Sequence, residues 1–307
     1  MLRTVRLKRI LPIVVAAGVL ATCATRPSIG PIPPESLLLT DYTTWFAADV
    51  EANRPLIRSI LSEVEEDLGD VADRTNRIVG GMRISPRLTP VHLPQASREL
   101  SAVAVGRFPP GSIQFALRTD RSFERVVTRV DGRSNVYFQH RDGMLQLAVP
   151  ARDLMYLSTD RMLDMLAERP PAELDLDPDI YRTLRTVGRP GEPAAVVIFA
   201  DPGRELLQSL GVDAPPLPLT RIGLSLWNRD ERLELGGSLV LRSERDAALF
   251  GRISRLFIVI FVRALGLESA AAQQALVHVE GATVRFTGIP IEPGEIISLI
   301  RFLGDVP

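Results

Sequence analysis

Cysteine is almost missing from this chain, with Cys23 the single one in 307 residues. An intrachain disulfide is therefore excluded, and an oxidising compartment has nothing here to stabilise. Lysine is just as scarce: Lys8 is the only one, and arginine supplies every later base. Histidine occurs three times, at His92, His140 and His278, and no two of these have the spacing of a metal-binding pair. Neither a G-x-S-x-G elbow nor a glycine-rich phosphate loop is present. Aromatic residues make up 6% of the chain, and the two tryptophans, Trp45 and Trp227, read as core before pocket. No apolar run reaches the ~20 residues of a membrane-spanning helix. With no catalytic constellation in sight, the expectation is a protein without enzymatic activity, without a metal and without a cofactor.

What is there describes a folded passenger. Hydrophobic residues make up 46% and charged residues 24%, a globular balance. The formal net charge is -1. Because Arg3, Arg6, Lys8 and Arg9 all sit at the very start, the rest is more acidic than that figure. Nucleic acid, which needs a basic footprint, is excluded as a partner. Length allows one large domain or two small ones.

The basic start is followed by an apolar core from Ile10 to Leu20, and Leu20-Ala21-Thr22-Cys23 closes it. These are the regions of a secretory signal. The last four residues resemble the lipobox of bacterial lipoproteins. Leu20 and Ala21 fit that pattern, while Thr22 departs from the small residue usual before the cysteine. The resemblance implies cleavage before Cys23 and acylation of its thiol, palmitate included, so that membrane lipid becomes a partner. A lipidated Cys23 is no longer a thiolate nucleophile. Ala24 in place of Asp implies delivery to the outer membrane rather than retention at the inner one. The expected location is the bacterial cell envelope, anchored by lipid and facing the periplasm.

Residues 1–22 are thus read as signal peptide and 23–35 as a lipidated tether, where Pro and Gly favour extended backbone. Ser36 to Asp41 reads as a short buried strand. From Leu56 the apolar residues Ile57, Ile60, Leu61, Val64, Leu68, Val71, Ala72, Ile78 and Val79 fall three and four apart, predicting a helix that Gly80-Gly81 stops. After a proline-bearing loop, Arg83 to Gln95, the period drops to two. Leu100–Arg107 and Ser112–Leu117 read as one hairpin, and Asn135–Gln139 with Met144–Val149 as another, turning at Asp142-Gly143. Asp160 to Glu168 reads as a short helix with Met162, Leu163, Met165 and Leu166 inward.

The second half repeats this order. Ala195–Asp201 matches the first strand, Ile222–Trp227 and Leu233–Leu241 the first hairpin, and Ala275–Glu280 with Thr283–Pro290 the second. Leu117-Arg118-Thr119-Asp120-Arg121 aligns with Leu241-Arg242-Ser243-Glu244-Arg245, and Val149-Pro150 with Ile289-Pro290. The predicted fold is α+β, a duplicated unit of antiparallel β-hairpins faced by helices. Its copies span 36–168 and 194–307, with 169–193 as linker. In that linker Asp175, Asp177 and Asp179 alternate like calcium ligands, but Ile180 stands where such a loop needs Gly. Asp201-Pro202-Gly203-Arg204-Glu205 falls between strand and helix, a frequent ligand position that a plain turn explains equally.

The copies differ most at Ala247 to Leu267, the most apolar stretch after the signal, which Ser243 and Asp246 are placed to cap. Two readings stand. As a core helix it is apolar nearly all round because neighbours cover it. As an interfacial helix it lays Phe257 and Phe261 into lipid while Arg252, Arg255 and Arg263 meet phosphates. Treponemal lipoproteins that insert amphipathic helices into the outer membrane are a loose parallel, carried only by Cys23 and the two amphipathic or apolar helices. The expected function is a binding or structural module contacting lipid, an apolar ligand or an envelope protein. The alternatives are an envelope enzyme of unfamiliar type with a carboxylate-lined cleft, or a pure scaffold. Labelled palmitate fed to expressing cells should enter the chain and vanish from a Cys23→Ser variant; labelling that survives the substitution refutes the lipid anchor.

Overall fold

In the first half, strands are apolar at consecutive positions, as in Ala102-Val103-Ala104 and Leu147-Ala148-Val149, and both of their faces are buried. A computed structural model describes residues 34, 42–54, 57–58, 73–85, 97–130, 132–143, 145–159, 161–167, 176–200, 218–229, 232–264, 273–292 and 295. In chain order the elements are β1 (Thr44–Asp49), β2 (Thr75–Ser85), β3 (Ser97–Gly106), α1 (Pro110–Thr119), β4 (Phe123–Val130), β5 (Arg133–His140), β6 (Gln146–Ala151), β7 (Leu154–Ser158), α2 (Met162–Leu166) and α3 (Pro178–Thr186). They continue as β8 (Ala195–Ala200), β9 (Leu219–Arg229), β10 (Arg232–Leu241), α4 (Glu244–Ala264), β11 (Leu276–Glu280) and β12 (Thr283–Pro290). The class is α+β, with mostly antiparallel sheet and few helices.

The chain divides into two units. The first runs through Ala47–Arg83 and Arg98–Arg185; the second takes Thr43–Phe46, Ile84–Ser97 and Thr186–Pro307. Strands of the first unit, counting β1 through its Ala47–Asp49 half, lie in the order β1-β2-β3-β7-β6-β5-β4, and those wholly in the second in the order β8-β9-β10-β12-β11. In each unit three strands are laid down in sequence order, a helix follows, and the last strand of the unit returns beside the third. The first unit adds the β4–β5 hairpin between its helix and that returning pair.

Two cores flank the first unit's sheet. On one face Ala104, Phe108, Ile113, Leu117, Phe123, Phe138, Leu147 and Met155 pack under α1. On the other, Val103, Tyr137, Ala148 and Tyr156 meet Met162, Met165 and Leu166 of α2. Adjacent residues such as Tyr137 and Phe138 enter opposite cores, which is why no period of two shows in these strands. Burial on both sides obliges polar groups to find partners internally. Tyr42 Oη donates to Ser101 Oγ at 2.6 Å, and Ser101 and Ser158, register partners on β3 and β7, have their hydroxyls 3.3 Å apart. Ser158 Oγ in turn accepts the Arg161 N–H at 2.8 Å and so steers the entry into α2.

Several expectations are met. The pairing of β5 with β6 turns at Gly143, whose φ is +75°; β9 pairs β10, and β11 pairs β12 through Gly281. Four others are corrected. Ile78, Val79, Gly80 and Gly81 belong to strand β2 rather than to a helix and its stop. Gly81 is there because the Tyr42 ring lies on it: a Cβ would come within 2.3 Å of Tyr42 Cδ2. Ser112–Leu117 lies in helix α1, not a strand. Ile113 and Leu117, four apart, are both buried, while Phe115, which alternation placed with them, is exposed. Pro110 is tolerated in the first turn, where its missing N–H leaves no bond unmade. On the short helix, Met162, Met165 and Leu166 point inward as expected, but Leu163 is exposed. Finally, part of the stretch read as linker is helix α3, started by Asp177 Oδ1 accepting the Asp179 and Ile180 N–H groups at 2.8 and 3.3 Å.

The strand read at Ser36–Asp41 and most of the long helical stripe lie outside the described residues, and the first strand described begins at Thr44. The segment-by-segment alignment of the halves slips as well. Leu117 is in a helix where Leu241 closes a strand, and Val149-Pro150 ends a strand paired with the returning one, whereas Ile289-Pro290 ends the returning strand itself. At Gly106 a Cβ would stand 2.0 Å from the Arg74 carbonyl oxygen, itself held by the Arg107 N–H. Backbone on both sides leaves no flexible atom to yield. Gly106→Ala should therefore lose about 1–3 kcal/mol in urea denaturation, whereas Gly111→Ala, in the first turn of α1 with open space around it, should lose nothing and gain up to about 1 kcal/mol.

Candidate functional site: the outward side of the long helix

Helix α4 starts on a capped turn. Ser243 Oγ accepts the Asp246 N–H at 3.1 Å and donates to the Asp246 carboxylate at 2.7 Å. Glu244 and Asp246 in the first turn and Arg263 in the last oppose the partial charges of the helix ends. The inward side carries Ala247, Phe250, Ser254, Phe257, Ile258 and Val262, all buried, and packs over β10, β11 and β12. Phe257 meets Phe250 edge to face at 5.2 Å. Gly251 permits close seating on β11, since a Cβ there would fall 2.6 Å from Val279 Cγ2. Ser254 satisfies its buried hydroxyl by donating to the Gly251 carbonyl at 2.8 Å.

A second apolar row runs along the other side. Leu249, Ile253 and Leu256 are 55%, 55% and 65% exposed. Their spacing of four and then three places them on one stripe. Arg245, Arg252, Arg255 and Arg263 are exposed as well, and no acidic residue follows Asp246 in the helix. Arg252 and Arg255 thus border the row in its middle. Aliphatic side chains held in water beside arginines suit a surface that is apolar below and anionic at its rim.

Of the residues the sequence singled out, Arg252, Arg255 and Arg263 are on solvent, as an interfacial role requires. Phe257 faces the unit's own core, so it is not the contact residue that was expected. The side chain of Phe261, and Cys23 altogether, lie outside the described residues, as do His92 and the Asp201–Glu205 turn. Among the described residues the helix is covered on one side only, which corrects the picture of a core helix buried all round. Leu249, Ile253 and Leu256 are the residues that sequence reasoning missed. Their signal was present: they sit out of phase with the Ala247, Phe250, Ser254, Phe257 stripe.

Elsewhere, His140 Nδ1 lies 2.6 Å from Asp142 Oδ1 and its ring packs edge-on to Phe123 at 5.2 Å, which secures the β5–β6 turn. Among the described residues no group of three His, Cys, Asp or Glu is placed to hold a metal ion. Among them, too, no helix is long and apolar enough to cross a membrane.

No family model and no curated protein matches this chain. Its fold, an α+β arrangement rich in antiparallel sheet, is found in solved structures. Crystal form III of TP0453, a treponemal protein, superposes with a TM-score of 0.61 at 17% identity, covering 89% of this chain and 99% of that one. Crystal form I of TP0453 gives 0.58 at 20% identity over 88% and 97% of the two chains. Crystal form IV gives 0.60 at 18% over 88% and 97%. At such identities the likeness is one of fold.

The two sides of α4 should separate cleanly in stability measurements. Phe257→Ala is expected to cost about 3–5 kcal/mol by urea denaturation, as for a buried aromatic. Leu256→Ala should stay within about 0.5 kcal/mol, as for an exposed site. Equal losses at both positions would contradict the orientation of the helix.

Proposed function

We propose that this chain is a non-enzymatic, lipid-anchored protein of the bacterial cell envelope, whose long helix α4 lies against an anionic lipid surface. The observation that carries this is the outward row Leu249–Ile253–Leu256 bordered by Arg252 and Arg255. Each aliphatic side chain removed from water contributes up to about 1.5–3 kcal/mol, scaled by how much of it was exposed. Arginines at the headgroup level add roughly 1 kcal/mol apiece on anionic lipid. The lipobox-like Cys23, with acyl chains such as palmitate, supplies a second attachment, and two weak attachments together make a stable one. The fold likeness to TP0453 is consistent with the treponemal parallel drawn from the sequence. The periplasmic face of the outer membrane is the location the signal sequence favours.

The same proposal treats the two units as copies of one ancestral unit. The support is their common order of three sequential strands, a helix and a returning pair. In this reading β4–β5 is an insertion in the first copy. The long α4 and the short α1 are the same helix, diverged, and only the longer one has an outward apolar row three residues long.

Vesicle flotation tests the lipid contact apart from the anchor. An unlipidated Cys23→Ser chain should float with phosphatidylglycerol-containing vesicles and less with phosphatidylcholine alone. Leu249→Ser/Ile253→Ser/Leu256→Ser should weaken partitioning about 100-fold, the equivalent of about 2.7 kcal/mol, with the circular dichroism unchanged. A Cys23→Ser chain that stays with the aqueous phase at every lipid composition refutes the contact.

A further inference from the structure

Strand β4 ends the first unit's strand order and, among the described residues, pairs only with β5, from Phe123 opposite His140 to Val130 opposite Arg133. Among the described residues nothing pairs with its other edge, which presents backbone N–H and C=O groups along eight residues, ~27 Å of strand. One set of side chains is already used: Val126 and Val130 pack toward the core that includes Tyr137, Tyr156 and Met162. On the other face Phe123 is buried under α1, but Arg125, Val127 and Arg129 beyond it are exposed, Val127 by 54%. At a period of two, these three stand in a row, an apolar side chain between two guanidinium groups. The hairpin that carries them has no counterpart in the strand order of the second unit.

We infer that the free edge of β4 receives an extended protein segment as an added strand, one with carboxylates opposite Arg125 and Arg129 and an apolar residue opposite Val127. Strand addition draws its affinity from main-chain hydrogen bonds and its choice of partner from alternate side chains. Here those alternate side chains are positive, apolar, positive. A second copy of β4 fits poorly. Two-fold antiparallel pairing sets even-numbered residues opposite even and odd opposite odd. Glu124, the strand's one acid, therefore never meets Arg125 or Arg129. The register that stacks Val127 on its twin sets Arg125 against Arg129 twice, and like charges directly opposite destabilise a pair.

The test uses the full chain and a capped peptide, Thr-Glu-Thr-Val-Thr-Glu-Thr, with a Lys-for-Glu twin as control. Hydrogen exchange should slow at alternate amides of β4 when the Glu peptide is in excess, and the Lys peptide should bind at least about tenfold more weakly. An Arg125→Glu/Arg129→Glu chain should reverse that preference. Equal binding of the two peptides, protection lying outside β4, or no protection at millimolar peptide overturns the proposal. So does slowed exchange in β4 that grows with protein concentration alone, which would make a second copy the occupant.

Discussion

A sheet that is buried on both faces has no wet side on which to leave a polar group, and this constraint shapes the first unit. Side chains from β3, β5, β6 and β7 enter one core or the other in strict alternation, with α1 closing one face and α2 the opposite one. Three buried hydroxyls are tied to one another, from Tyr42 through Ser101 to Ser158, and the last of them sets the first turn of α2. Hydroxyl pairing thus links the strand register to the placement of a helix. A one-residue slip of β7 against β3 would exchange the two faces and part Ser158 from Ser101 at once.

The second unit solves a different problem. Its long helix carries more apolar surface than its own sheet can cover, so one row goes into the core with Phe257 and Phe250 and another stays in water. Exposed aliphatic residues in a row are costly to solubility and are usually kept for a contact. The arginines around them keep the helix soluble and give the exposed row a charge preference at the same time. A related combination, guanidinium groups beside an apolar side chain, recurs on the edge strand β4 at Arg125, Val127 and Arg129. With lysine limited to position 8, guanidinium groups supply all such borders, and their planar, weakly hydrated form tolerates an apolar neighbour better than an ammonium does.

How much of this was legible in the sequence depended on how local each element's signal is. Hairpins that turn at a glycine, such as β5–β6 at Gly143 and β11–β12 at Gly281, could be read directly. The cap at Ser243 was legible because a local side-chain-to-backbone bond needs no tertiary partner. Strand β2 was not, since Ile78 and Val79 continue a helical spacing and only tertiary packing against Tyr42 explains Gly81. Helix α1 was misread because Ile113, Phe115 and Leu117 alternate, and nothing local says that Phe115 is the one left outside. Strands β4 and β7 went unread for lack of a clear period. At the candidate site the arginines were found and the row beside them was not, because attention to the apolar run from Leu256 to Val262 passed over Leu249 and Ile253, which precede it.

Gly251 has a mechanical consequence. It lies on the inner side of α4 against Val279, while Phe257, Ile258 and Val262 hold the helix several residues further on. Buried Ala247 and Phe250 hold it on the preceding turn as well. A larger side chain at that position would press on Val279 Cγ2 between these two sets of anchors, so either Val279 yields or the helix rides higher on its sheet. The outer leucines and isoleucine would keep their identity and change only their height. A single hydrogen atom in place of a methyl group therefore sets how closely the helix lies on its sheet.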